Sequence, residues 1–195
     1  MTAQQPQIPL FVPGDALLVV DVQRDFCPGG ALPVPDGDAV VPVLNRWLAA
    51  AEEAAAPVVA SRDWHPADHC SFEEQGGEWP AHCVRESPGA AFHPDLALPA
   101  HAVIVSKGTE SDRDAYSAFD GTGLADDLRR GNVKRLWIGG LAQDVCVHAT
   151  VLAACEHGFT THLIPGASRP ISQERGQAAL REMAGAGAVV PDAAG

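Results

Sequence analysis

Short apolar runs recur along the chain at Ala16–Val20, Pro57–Ala60, Ala102–Val105, Leu136–Ile138 and, less sharply, Thr160–Ile164, with β-branched residues in most of them. Runs of this length without polar alternation predict strands buried on both faces. Between them the apolar period changes to 3.6 residues. Val40, Leu44, Trp47, Leu48 and Ala51 make one stripe, with Asp36 and Asp38 as candidate caps, and that helix must stop before Pro57. Val147, Val151, Leu152 and Cys155 make a second stripe. A third helix is expected from Ser172, a candidate N-cap, to Met183, before Gly185 and Gly187, and a short one over Leu124–Arg130 ending at Gly131. Strands alternating with helices predict right-handed crossovers and an α/β fold of three layers: a doubly wound, mostly parallel sheet with helices on both faces. One domain over residues 10–190 accommodates all of this, with loose ends at 1–9 and 191–195. The stretch from Asp63 to His101 shows neither period and holds five of the eight His residues and two of the four Trp residues. So long an aperiodic segment inside a domain marks a functional loop region.

Composition narrows the function classes. With 195 residues, 46% of them apolar and 19% charged, the chain can bury a sizeable core. Thirteen Lys and Arg against 25 Asp and Glu give a net charge of −12, and no basic run exceeds Arg129-Arg130, which argues against nucleic acid as a partner. No apolar run approaches the about 18 residues needed to span a bilayer, and Met1–Pro9 lacks a signal-peptide core, so a cytoplasmic protein without a membrane partner is expected. Five cysteines, an odd number, make a disulfide framework improbable and leave thiols as core filler or as chemistry. Gly29-Gly30 and Gly139-Gly140 lack the context of a dinucleotide or phosphate cradle, and no organic cofactor is expected. A homo-oligomer would be ordinary for a domain of this size.

In open parallel sheets ligands bind beyond the carboxyl ends of the strands, so the residues that follow each predicted strand matter most. They are Asp21, then Asp63 and His65, then Lys107, then Gly139-Gly140 and Cys146. Cys146 falls in the first turn of a helix that Gln143 or Asp144 could cap, where free N–H groups and the helix dipole would lower the thiol pKa and hold an oxyanion. Packing alone is the commoner fate of a lone cysteine, and Cys155, in the apolar stripe, reads as core. Asp21 at the end of an apolar strand needs a partner or a function, and Lys107 supplies the partner. With a thiol on the same edge, Asp21 can accept the Cys146 proton while Lys107 steadies the anions; the alternative is a structural ion pair. Asp63 and His65, two apart in extended chain, project to one side, and His82 follows in the loop. Two imidazoles and a carboxylate suit one divalent metal ion, Zn²⁺, Fe²⁺ or Mn²⁺, with His69 as a further ligand or a supporting group. A closed zinc site from Cys70, Cys83, His69 and His82 competes with this set, as do surface histidines without metal. Phe26, Trp79 and Tyr116 either plug the core or wall a site for a flat ring.

The segments Asp21-Val22-Gln23-Arg24-Asp25-Phe26-Cys27-Pro28-Gly29-Gly30, Ser61-Arg62-Asp63-Trp64-His65-Pro66-Ala67-Asp68-His69, Trp79-Pro80-Ala81-His82-Cys83, Lys107-Gly108 and Gly140-Leu141-Ala142-Gln143-Asp144-Val145-Cys146-Val147 together resemble the nicotinamidase/pyrazinamidase branch of the isochorismatase-like cysteine hydrolases. The acid, lysine and cysteine are shared across that superfamily, whereas Asp-x-His with Trp-Pro-x-His-Cys is characteristic of the branch. The resemblance, from about Leu17 to Ala167, implies a triad of Asp21, Lys107 and Cys146, a metal on Asp63, His65 and His82 with His69 as an extra candidate, and a cis peptide at Leu141–Ala142. The N–H groups of Ala142 and Cys146 would then face the oxyanion. It also implies that Phe26 and Trp79 sandwich a pyridine ring, with Tyr116 a further pocket residue. The activity so implied is hydrolysis of nicotinamide, a small aromatic amide, to nicotinate and ammonia. Related amidases of carboxamide or carbamoyl substrates, isochorismatase-type vinyl ether cleavage and a metal-binding scaffold are the alternatives.

Overall fold

β1 (Asp15–Val20) is buried at every position because it lies at the centre of a parallel sheet. The computed structural model describes Ile8 and residues 10–191, and in it the sheet has five strands. The others are β2 (Val58–Asp63), β3 (Val103–Lys107), β4 (Arg135–Gly140) and β5 (Thr160–Ser168), in the order β3-β2-β1-β4-β5. The expected loose ends, 1–9 and 191–195, lie outside the described residues except for Ile8 and Pro191. Among the described residues no helix is long and apolar enough to cross a membrane.

Helices cover both faces, as the alternation of periods predicts. On one side α1 (Val41–Glu53) packs Leu44, Trp47, Leu48 and Ala51 with Leu17 and Val19. On the other, α2 (Leu124–Arg130), α3 (His148–Glu156) and α4 (Gln173–Gly185) cover Ala16, Leu18, Val20, Leu136 and Ile138. Each fully buried Leu or Ile side chain in these layers contributes about 1.5–3 kcal/mol relative to exposure. Ser172 caps α4, its hydroxyl accepting the Arg175 N–H, and Gly187 (φ +95°) follows the end of that helix.

Several local expectations change. Neither Asp36 nor Asp38 caps α1: a 3₁₀ turn, Gly37–Val40, leads into it and Val40 holds the N-cap position. β3 is not buried on both faces, because it forms a sheet edge and leaves Val103 53% and Ile104 42% exposed. Cys155 is half-buried at the margin of the core, and its neighbour in α3, Ala154, is the one turned inward. β5 runs past Pro165 to Ser168, with a register shift opposite Ile138–Gly140.

The strand order reverses direction at β1, with β2 on one side and β4 on the other, which opens a crevice beyond their carboxyl ends. Gly140 shows how tightly the crevice floor is packed: a Cβ there would lie 1.9 Å from the Val20 carbonyl oxygen, and its φ is +140°. Register puts Val20 opposite both Ser61 and Gly140, and Asp63 opposite Lys107. Of the aperiodic stretch from Asp63 to His101, Asp63 closes β2; the rest holds a single 3₁₀ turn (Glu73–Gln75), is pinned to itself by the His65–Val84 bridge and joins the segment after β1 through the Gln23–Phe92 bridge.

Candidate active site

Asp21 is the first residue past β1, and its left-handed backbone (φ 48°), which Asp tolerates better than most residues, turns the chain off the sheet. Its carboxylate is fully buried; Oδ1 accepts the Ser61 hydroxyl at 2.7 Å. Oδ2 lies 2.9 Å from Lys107 Nζ as an ion pair without the alignment of a hydrogen bond. Lys107, the last residue of β3, is 1% exposed, and its ammonium is the centre of the site. Nζ donates to Asp63 Oδ1 at 2.5 Å, to the Ala115 carbonyl at 3.3 Å and to Cys146 Sγ at 3.5 Å. Cys146 Sγ and one oxygen each of Asp21 and Asp63 lie within 4.8 Å of one another, and the thiol is in hydrogen-bond reach of Asp21.

The electrostatics follow from this crowding. Burial would lower the Lys107 pKa, but the charges of Asp21 and Asp63 outweigh it and hold the ammonium well above its ordinary value. Burial would raise Asp63, yet Lys107 and His65 hold it well below the usual carboxylate range. For Asp21 burial wins, helped by the Asp63 charge and opposed by Lys107, and its pKa is raised. Cys146 reverses its expectation. Burial first, then Asp21 and Asp63, push its thiol well above the ordinary value despite Lys107. The helix start differs too: Ala142 holds the N-cap position, and Gln143–Val147 form a π-helical turn before α3. Gln143 and Asp144 are engaged elsewhere, with Gly176, Ser168, Ile171 and Arg175. These shifts favour the neutral thiol of Cys146 beside a carboxyl group, Asp21, whose pKa is also raised.

Asp63 also faces outward to a second cluster. Its Oδ2 is 3.7 Å from His65 Nε2 and 4.0 Å from His82 Nε2, and Asp63, His65 and His82 are all buried. His65 Nδ1 lies 2.9 Å from the Gly108 carbonyl and His82 Nδ1 lies 2.8 Å from the Pro80 carbonyl. A carbonyl only accepts, so both rings carry a proton on Nδ1 and turn Nε2, the nitrogen left to bind a metal, toward the carboxylate. Burial lowers the His82 pKa, which favours the neutral imidazole that a metal requires. This donor set fits a divalent cation.

His69 is not brought into that set. Its Nδ1 accepts the Ser71 N–H at 3.3 Å and lies 2.7 Å from the Ser71 hydroxyl, so Nε2 bears the proton and donates to the Arg113 carbonyl at 3.2 Å. Its ring packs against that of His65, with centroids 4.1 Å apart. The closed Cys70–Cys83 zinc site does not form: among the described residues neither cysteine joins a donor cluster, and burial pushes the Cys83 thiol far up.

A cavity of about 90 Å³ joins the two clusters; Cys146, Asp63, His65 and His82 line it together with Phe26, Trp79 and Tyr116. Phe26 packs its ring 5.5 Å from that of His82, and Trp79 Nε1 donates to the Tyr116 hydroxyl at 3.2 Å. Ala142 also lines the cavity; the Leu141–Ala142 bond is cis, and among the described residues the Ala142 N–H meets no acceptor. Sequence reasoning missed the supports beneath these groups: Gln23, Ser61 and Gly108. Only register and loop geometry reveal them, although Gln23 stands two residues from Asp21 in a motif already singled out.

Comparison with known proteins agrees with this geometry. The isochorismatase domain matches residues 15–195. The nicotinamidase of Escherichia coli (strain K12) is 41% identical over 92% of this chain and 95% of its own length. Among solved structures, the pyrazinamidase of Pyrococcus horikoshii in complex with zinc superposes with a TM-score of 0.89 at 50% identity, over 92% of this chain and 99% of that one. PnC1 from L. infantum in complex with nicotinate superposes with a TM-score of 0.85 at 33% identity, over 94% and 95% of the two chains. The chain belongs to the isochorismatase-domain family, in its nicotinamidase/pyrazinamidase branch.

Proposed function

We propose that the protein is a metal-containing cysteine amidohydrolase that converts nicotinamide to nicotinate and ammonia through a thioester on Cys146. One observation carries the reading: a single buried ammonium, Lys107 Nζ, touches the base Asp21, the thiol of Cys146 and the metal-facing carboxylate of Asp63. Proton chemistry and ring recognition thereby share one cavity. The relatives named nicotinamidase and pyrazinamidase, and the nicotinate held by a structural neighbour, support the substrate class.

Asp21, whose burial raises its pKa and makes its carboxylate a stronger base, takes the Cys146 proton as the sulfur attacks the carboxamide carbon. The N–H groups of Ala142 and Cys146 receive the developing oxyanion. Collapse breaks the C–N bond, and the proton on Asp21 leaves with the nitrogen as ammonia. A water then gives one proton to Asp21 and attacks the thioester; that proton returns to Cys146, and the acid departs and gives up its remaining proton to solvent as nicotinate. Lys107 stays charged throughout and offsets the anions on either side of it. Phe26 and Trp79 offer flat walls to the ring, and Tyr116 anchors Trp79. Asp63, His65 and His82 would hold the metal, which when bound supplies a Lewis acid for the ring nitrogen and thereby orients the amide. The N/O donor set accepts Zn²⁺, Fe²⁺ or Mn²⁺, and the zinc of the P. horikoshii neighbour makes zinc the first to test.

Ammonia release from nicotinamide, pyrazinamide and benzamide by metal-analysed protein tests the proposal. The two nitrogen heterocycles should be cleaved and benzamide, without a ring nitrogen, should be far slower. Ammonia release that survives Cys146→Ala and disappears in Asp63→Ala would replace the thioester route with a metal–hydroxide one.

A further inference from the structure

β1 and β2 pair through Val20 and Ser61, but Asp21 then leaves the sheet, so Asp63, two residues further along β2, has no β1 backbone opposite it. A side chain takes the strand's place. Gln23 is completely buried; its Oε1 accepts the Asp63 N–H at 2.8 Å, and its Nε2 donates to the Asp63 carbonyl at 2.8 Å and to the Ala90 carbonyl at 2.9 Å. Both peptide groups of one residue are thus gripped by one amide, as a neighbouring strand would grip them.

The gripped residue is the one that does two jobs. Asp63 gives Oδ1 to Lys107 and turns Oδ2 toward the Nε2 atoms of His65 and His82. A small backbone rotation at Asp63 would move both oxygens at once, because a carboxylate pivots as a rigid unit. The same segment continues the pattern: Asp25 Oδ2 accepts the N–H of Cys83, the neighbour of His82, at 2.7 Å. Phe26 then lies against the His82 ring.

We infer that Gln23 is a positioning residue that couples the metal cage to the acid–lysine–thiol group by fixing the backbone of Asp63. The inference rests on the reading of Asp63, His65 and His82 as metal ligands. Gln23→Met keeps the length and removes every hydrogen bond to Asp63, while an outer support of a metal ligand typically governs affinity by about 10–100-fold. A structural role alone would lower stability without moving metal affinity.

The test measures the zinc dissociation constant by chelator competition and the melting temperature for the parent, Gln23→Met and Arg135→Met. The last variant breaks the Asp15–Arg135 pair at the opposite ends of β1 and β4 and serves as a destabilised control away from the cage. The expected result is zinc affinity at least about tenfold weaker in Gln23→Met, with kcat reduced more than KM is raised, and near-parent zinc affinity in Arg135→Met. Near-parent zinc affinity in Gln23→Met overturns the inference. Should that variant not fold, Gln23→Asn, whose amide is one methylene short of Asp63, is judged by the same criterion. A parent that binds no zinc, iron or manganese would instead overturn the reading of the cage, so the two failures are distinguishable.

Discussion

Replacing Lys107 with Met removes the ammonium that joins the two clusters while leaving a chain of similar length in its slot. Lys107 is 1% exposed and Asp21 is 0% exposed, so the change strands a carboxylate in a dry interior. Breaking a buried pair from one side costs about 3–5 kcal/mol, and at about 2–4 °C per kcal/mol for a chain of this size the melting temperature should fall by roughly 6–20 °C. A metal held by Asp63, His65 and His82 would give Asp63 a substitute counter-ion; Asp21 would have none. Lys107 is also the charge that restrains an already raised Asp21 pKa, so its loss raises that pKa further and shifts Asp21 toward the protonated acid. A protonated base cannot accept the Cys146 proton, and kcat should fall by about 10²–10⁴-fold. The double variant Lys107→Met/Asp21→Asn separates the two effects. It removes the stranded charge and should recover more than about half of the lost stability while restoring no activity. Thermal melts and ammonia release on metal-loaded protein read both quantities. A Lys107→Met variant that keeps its melting temperature, or a double variant no more stable than the single one, would refute the placement of Lys107 as the buried counter-ion.

Three further outcomes are expected. Gly108→Ala places a Cβ 2.4 Å from His65 Cε1 and 2.6 Å from its Nδ1 at a φ of +59°, and the buried ring has nowhere to retreat. Zinc affinity measured by chelator competition should fall by about 10–100-fold. Tyr116→Phe removes the acceptor of the Trp79 Nε1–H; steady-state kinetics should show KM for nicotinamide raised about fivefold, the equivalent of one net hydrogen bond, with a smaller change in kcat. For Asp15, burial acts to raise the pKa, but the Arg135 and Val12 hydrogen bonds and the Arg135 charge hold it below the ordinary value. A depressed folded pKa means that the pair adds stability above the unfolded value of about 3.9 and loses it as pH falls through the folded pKa. Urea titrations should therefore show Arg135→Met less stable than the parent by about 1–3 kcal/mol at pH 7, with the gap closing in acid.

The sheet and its active edge were legible because parallel strands covered on both faces write themselves as uninterrupted apolar runs, and the residue after each run falls at the ligand-binding end. Asp21, Lys107 and Cys146 emerged in that way, and Asp63 and His65 from their two-residue spacing. Edge position was not legible: Val103 and Ile104 read like a buried strand because composition does not reveal which strand is last. The environment of Cys146 was not legible for a related reason. A cysteine in the first turn of a helix suggests a thiolate, but its protonation is decided by burial and by carboxylates from β1 and β2, which only the tertiary structure assembles. Gln23 stayed silent because its partners are backbone groups 40 and 67 residues away, and backbone groups carry no residue signature. His69 shows the limit from the other side. Its spacing suits a ligand, but Ser71 and Arg113 occupy both of its nitrogens.

The claim that sulfur attacks the amide while Asp21 moves the proton is tested most directly by rapid-quench intact-mass analysis of the zinc-loaded protein mixed with excess nicotinamide. A transient adduct of one nicotinoyl group, mapped to the peptide that carries Cys146 and absent from Cys146→Ala, is the predicted result. Ammonia released at the parent rate by Cys146→Ala, with no adduct on either protein, would contradict it.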